Sequence, residues 1–260
     1  ADEVRIATPD AHLLGTVDLG RAFTTVHPGA IYLHQGTTWR VVDLDLDDLT
    51  ATVVSDPGDT YTQARTDTRV EIVEVDRTTT VGVTRLHLGR VRIHSQVVGY
   101  TRKDTRTREQ LEQVELDLPP TVLDTRGFWY TVSPEELCRA GVSPAAVPGT
   151  LHAVEHAAIS LLPLFTICDR WDVGGVSTAL QADTGLPTIV IHDAYPGGAG
   201  IAELGYAAAD RHLAATLELL EACGCVDGCP SCVQSPKCGN GNEPLDKAGA
   251  IALLRHVLGR

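Results

Sequence analysis

The chain has 260 residues, 43% of them hydrophobic and 21% charged, a soluble globular composition large enough for one big core or two ordinary ones. No apolar run reaches the roughly 18 residues of a membrane span, and the N-terminus carries neither a basic leader nor an apolar stretch, so a membrane role is excluded and a cytoplasmic location is expected. Thirty-four acidic against twenty-one basic residues give a net charge of −13, the wrong sign for a protein that grips nucleic acid over most of its surface, so any such contact must be local. The absence of methionine suggests a fragment of a longer protein that lacks an N-terminal portion.

From Val4 to about Val132 the pattern is β. Alternation and β-branched residues mark Ala30 to His34, Thr38 to Val42, Arg69 to Val73, Thr80 to Leu88 and Val91 to Tyr100. Turn chemistry at Gln35-Gly36, Asp56-Pro57-Gly58-Asp59 and Leu88-Gly89 fits the hairpins of a small barrel or sandwich. Prolines between Ser143 and Gly149 then break the pattern, which places a boundary near 145. Beyond it the sequence predicts an apolar helix over about 151 to 165, a short strand near Val173 to Thr178, a buried strand Pro187 to Ile191 and a long helix from about Gly200 to Ala222. A cysteine-rich loop follows, and then a last helix entered through Asn242-Glu243-Pro244. The expected fold class is α+β, an antiparallel β-rich module (1–145) followed by an α/β module (146–260) with a four-cysteine zinc site.

Five of the seven cysteines fall between Cys223 and Cys238. Thiolates at C-x-C and C-x-x-C spacing can surround one tetrahedral Zn²⁺, with Gly228 and Pro230 shaping the turn that aims two sulfurs at one point. Val226 and Val233 are the only aliphatic residues between Cys223 and Asn242, too little apolar surface to offset the ordering entropy, and a metal can supply that deficit. A disulfide cluster fits poorly, because a cytoplasmic chain keeps its thiols reduced and five is an odd count. The expected ligands of the single structural zinc are Cys223, Cys225, Cys229 and Cys232, with Cys238 either a free thiol or a replacement for Cys223. Cys138 and Cys168 read as ordinary buried thiols.

The run Gly228-Cys229-Pro230-Ser231-Cys232-Val233-Gln234-Ser235-Pro236-Lys237-Cys238-Gly239-Asn240-Gly241-Asn242-Glu243-Pro244-Leu245-Asp246-Lys247 resembles the signature of the MrfA-type zinc-binding domain, which ends a group of superfamily-two DNA helicases. The resemblance extends upstream through Glu155-His156-Ala157, Leu162-Pro163-Leu164-Phe165, Cys168 to Gly175 and Tyr195-Pro196-Gly197-Gly198-Ala199-Gly200. Earlier pieces, His27 to Gly36 and Tyr61 to Arg65, look like the region such helicases carry after their motor lobes. The resemblance implies an ATP-dependent 3′ to 5′ DNA translocase and helicase linked to DNA repair, in which the cysteines hold a structural zinc. A Walker A loop needs Lys followed by Ser or Thr, whereas Lys103, Lys237 and Lys247 precede Asp104, Cys238 and Ala248. ATP and Mg²⁺ therefore belong to motor lobes outside this chain, which is expected to catalyse nothing alone and to have those lobes and single-stranded or forked DNA as partners.

Three other patterns carry readings of their own. His152-Ala-Val-Glu155-His156 is a literal H-x-x-E-H, so a zinc peptidase is the main rival. Helical phase, however, sets both histidines opposite the apolar stripe of Leu151, Val154, Ala158, Leu161, Leu162 and Phe165, on an outer or interdomain side. Tyr195 to Gly200 sits between a strand and a helix, as a phosphate cradle or as a tight turn that needs glycine. Arg90 and Arg92, with Arg102 and Lys103, lie in the densest basic stretch and could follow a phosphate backbone, or form a solvated hairpin with scattered ion pairs. A third reading of the whole is a protein-interaction module.

Overall fold

The computed structural model describes residues 2–260. In chain order its elements are β1 (Glu3–Ala7), β2 (Leu13–Asp18), α1 (Leu19–Thr25), β3 (Ile31–His34), β4 (Thr37–Asp45), β5 (Thr50–Ser55), β6 (Thr60–Val81), β7 (Thr84–Asp104), β8 (Gln110–Glu115) and β9 (Thr121–Thr131). They continue with α2 (Pro134–Arg139), α3 (Val147–Leu161), β10 (Val173–Thr178), β11 (Thr188–Asp193), α4 (Ile201–Ala207), α5 (Ala209–Ala222) and α6 (Lys247–Leu258). The fold is α+β, with most of the first half in strands.

Two compact units are interleaved along the sequence. The first takes the chain up to Asp67, Ser95–Thr121 and Gly239–Gly241; the second takes Thr68–His94, Val122–Cys238 and Asn242–Arg260. Residue 145, where composition changes, lies inside the second unit, because β9 is hydrogen-bonded to β11 and therefore folds with the later helices.

In the first unit a five-stranded sheet runs β2-β1-β5-β4-β3. Its core is Val4, Ile6, Val41, Ala51 and Val53 from the strands with Ala22 and Val26 at α1. The hairpin from β3 to β4 turns at Gln35-Gly36, both at positive φ, 47° and 79°, as that dipeptide predicts. The sheet is not wholly antiparallel, since β1 pairs in parallel with β5.

The other sheet is ordered β10-β11-β9-β7-β6, with β8 pairing β7. In the second unit its central strands are covered on both faces, which explains their continuous apolar runs. Phe128 and Tyr130 of β9 and Ile189 and Ile191 of β11 face the large core, while Trp129 and Val190 join Val70, Val91 and Ile93 on the opposite face. The large core receives α3, α5 and α6, and α3 packs on β10, α5 and α6 together.

The strand expected over Thr80 to Leu88 is instead two, because the hairpin turns between Val81 and Thr84, where the Thr84 hydroxyl donates to the Val81 carbonyl (2.7 Å). The turn expected at Leu88-Gly89 is a continuous part of β7. A Cβ at Gly89 would stand 1.9 Å from the Glu74 carbonyl oxygen, so glycine here serves a close approach of neighbouring backbone. The long helix expected over 200–222 is broken at Ala208 into α4 and α5. The last helix starts at Lys247, capped by Asp246, whose carboxylate accepts from the Gly249 amide (2.8 Å), not at Asn242 or Pro244. Gly89→Val should lower the unfolding free energy by roughly 1–3 kcal/mol, the usual cost of forcing bulk into a packed site. Urea unfolding checks this, and an unchanged midpoint would contradict the close approach.

Candidate metal centre

The cysteine loop leaves α5 at Cys223 and rejoins regular structure at α6, so both ends are held by helices that share the large core. Within it the chain reverses at Gly228, φ 110°, where a Cβ would lie 2.4 Å from Val233 Cγ2. Val233 and Cys232 are buried in that core, and Cys223, Cys225 and Cys229 pack against it. The Cys229 carbonyl accepts the amides of Cys232 (3.0 Å) and Gln234 (3.2 Å), closing a knuckle that turns Cys229 and Cys232 toward the same point.

The sulfurs of Cys223, Cys225, Cys229 and Cys232 all lie within 4.8 Å of one another. Cys223 to Cys225, Cys223 to Cys229 and Cys225 to Cys232 are each 3.5 Å, and Cys229 to Cys232 is 3.8 Å. Four thiolates around a tetrahedral ion at about 2.3 Å would be separated by about 3.8 Å, whereas a disulfide needs about 2.05 Å. The residues present therefore fit a four-sulfur metal centre and do not form disulfides. Four sulfurs also fill a tetrahedral shell, which suits a structural ion rather than a catalytic one.

Electrostatics support the same arrangement. Lys247, only 5% exposed, donates from Nζ to the carbonyls of Cys223 and Cys225 (both 2.7 Å) and to Cys225 Sγ (3.3 Å). Burial pushes its ammonium down, but the hydrogen bond to Cys225 and the surrounding sulfurs outweigh that and hold it above the usual lysine range. Cys225, against its own burial, is drawn down to about 6 by hydrogen bonds with Cys232, Cys223 and Lys247. A buried cation thus offsets part of the negative charge that a tetrathiolate carries.

Cys238 does not join the four sulfurs. It is grouped with His152 and His156, whose ligand atoms and its own lie within 4.8 Å of one another. The outer or interdomain placement expected for the two histidines is corrected: His152 is 8% and His156 7% exposed, and both are buried within the second unit, against the carbonyls of Pro244 and Val233. Glu155 lies outside that group and turns to Ser177 of β10; burial raises its carboxyl to about 7, partly opposed by the Ser177 hydrogen bonds. A buried pair of imidazoles with a thiol, and a carboxyl directed elsewhere, is not the open two-histidine site with a water-activating glutamate that a peptidase needs. Cys138 and Cys168 are also corrected, to exposed and half-buried.

The Tyr195–Gly200 turn does not present its amides to an external phosphate. Gly197 donates its amide to the Asp124 carbonyl (2.9 Å) and Gly198 to the Tyr195 carbonyl (3.0 Å), while the buried carboxylate of Asp193 accepts from Ala199 and, in the first turn of α4, from Ile201 (3.3 Å) and Ala202 (2.8 Å). Of the basic residues, Arg90 and Arg92 do share one face of β7, with Val91 and Ile93 buried on the other. Each is ion-paired: Arg90 with Glu74 and Arg92 with Asp124, both at 2.7 Å, and Arg102 with Glu112 at 2.8 Å. Lys103 donates to Gln63 (3.3 Å). The role of Lys247 escaped the sequence reading, since its partners lie 22 and 24 residues away.

Fold and site together define an α+β module whose C-terminal loop is organised around four cysteines. The MrfA Zn-binding domain family matches residues 154–233. An ATP-dependent helicase of Bacillus subtilis, YprA, is 31% identical over 224 residues, 86% of this chain and 30% of the helicase. An uncharacterised protein of Methanocaldococcus jannaschii is 42% identical over 113 residues, 42% of this chain and 99% of that protein. Among solved structures, the DUF1998 helicase MrfA bound to DNA matches with a TM-score of 0.65 and 29% identity, over 98% of this chain and 34% of that one. The chain belongs to the MrfA Zn-binding domain family, and it spans about a third of the length of the helicases it matches. No helix among the described residues is long and apolar enough to cross a membrane.

Lys247→Met should preserve one metal per four-cysteine site but weaken its affinity by about 10- to 100-fold, as loss of groups that support metal ligands commonly does. Competition with a chromophoric chelator measures this, and unchanged affinity would remove Lys247 from the site.

Proposed function

We propose that this chain is the C-terminal accessory region of an ATP-dependent 3′ to 5′ DNA helicase or translocase that acts in cytoplasmic, nucleoid-associated DNA repair. The observation that carries this reading is the four-sulfur cluster locked into the core by Lys247, in a chain that aligns along most of its length with one third of helicase relatives. Cys223, Cys225, Cys229 and Cys232 hold one structural Zn²⁺, which lets a loop poor in apolar side chains act as a rigid scaffold for the motor lobes. ATP and Mg²⁺ are used by those lobes and not by this region.

Arg90, Arg92, Arg102 and Lys103 guide the single-stranded or forked DNA that the motor moves. The DNA-bound state of the MrfA relative supports contact with DNA somewhere on such a helicase. Within this chain each of the three arginines already has a carboxylate partner, so a phosphate must exchange with Glu74, Asp124 or Glu112. Such contacts are weak individually and salt-sensitive, which suits guiding a moving strand better than anchoring it.

The chain alone should bind single-stranded DNA weakly, with affinity falling steeply as salt rises. Replacing Arg90, Arg92 and Arg102 together by alanine should reduce the logarithmic salt slope by roughly 2, at about 0.7 per phosphate contact on a single strand. Fluorescence anisotropy across a salt series provides the measurement. No binding at low salt, together with undiminished unwinding by the full-length enzyme carrying the triple substitution, would overturn the guiding role.

A further inference from the structure

We propose that His152, His156 and Cys238 form a second metal site, separate from the four-cysteine centre and suited to Zn²⁺ or a similar divalent transition ion. Cys238 Sγ stands 3.5 Å from His152 Nε2. An imidazole nitrogen at about 2.05 Å and a thiolate at about 2.3 Å from a tetrahedral ion are separated by about 3.5 Å. The two histidines are one helical turn apart on α3, so their rings share a face, with centroids 4.2 Å apart.

The hydrogen bonds fix which nitrogens are available. His152 Nδ1 lies 2.8 Å from the Pro244 carbonyl and His156 Nδ1 2.7 Å from the Val233 carbonyl. A carbonyl only accepts, so both Nδ1 atoms carry the proton and both Nε2 atoms keep a lone pair. Metal-bound imidazoles are held in this way, by a backbone carbonyl at the far nitrogen. Cys238 Sγ in turn receives the Asn242 amide (3.2 Å), and Asn242 is itself held by Ser235, accepting from its amide (2.7 Å) and donating to its carbonyl (3.0 Å). All three ligands are buried. One thiol proton could satisfy only one of two converging Nε2 lone pairs, whereas one cation satisfies both nitrogens and the sulfur. The ion would tie the loop after the cysteine knuckle to α3.

The test is Co²⁺ titration of the metal-stripped intact chain, followed by absorption and elemental analysis. Two ions per chain are expected. Cys238→Ser and His156→Asn should each reduce this to one while preserving the tetrathiolate spectrum; Cys229→Ser should remove that spectrum and leave the second ion bound. One ion per chain in the unmodified protein overturns the proposal, as does loss of the tetrathiolate spectrum on Cys238→Ser. Zinc-edge X-ray absorption of the unmodified chain needs no variant to fold: five sulfurs and two imidazoles shared by two ions are expected. An all-sulfur shell without imidazole scattering overturns it.

Discussion

The structure of the C-terminal part depends on four sulfurs being brought to one point. Between the end of α5 and the start of α6 the chain has almost no side chains that could order it by burial, and a thiolate cluster concentrates negative charge besides. Both difficulties are met locally. The Cys229–Cys232 knuckle packs Val233 and Cys232 into the core, and Lys247 brings a buried positive charge against the carbonyls and one sulfur. A metal held there converts sulfur convergence into folding free energy, which an apolar core supplies in the rest of the chain.

Helix α3 is the second determinant. Because it packs against β10, α5 and α6, it has no solvated face, and its polar residues must find partners inside. His152 and His156 do so through the carbonyls of Pro244 and Val233, which ties the helix to the loop on the far side of the cysteine cluster. Asp193 is a comparable case at the end of β11, where its carboxylate holds the amides that open α4 and makes the glycine turn an internal joint.

Much of this was legible from local pattern. Cysteine spacing is a short-range signal, so the four-sulfur group could be read directly, as could the buried strand β11 from its continuous apolar run. The same reasoning failed where the outcome depends on distant packing. Amphipathic phase assigned the α3 histidines to an outer or interdomain side, but β10, β11, α5 and α6 pack around the helix and bury both. Alternation through Thr80 to Leu88 concealed a hairpin, since the turn contributes no polar interruption beyond Gly82, and Gly89 read as a turn although it serves strand packing. The partnership of Lys247 with the cysteine carbonyls and the meeting of Cys238 with α3 span 22 or more residues, beyond any motif read along the chain. Arg90 and Arg92 of β7 were placed on one face correctly by alternation, but the carboxylate partners of the β7 arginines come from other strands, Glu74 of β6, Asp124 of β9 and Glu112 of β8.

Amide hydrogen exchange over residues 223–246, before and after chelation of the metal, reports whether the four sulfurs order this segment through a bound ion. Slow exchange is expected in the metal-loaded chain, with near-complete loss of protection in this segment on chelation, while the amides of β9 and β11 keep most of theirs. Protection of the segment that is the same with and without metal would contradict ordering by the ion.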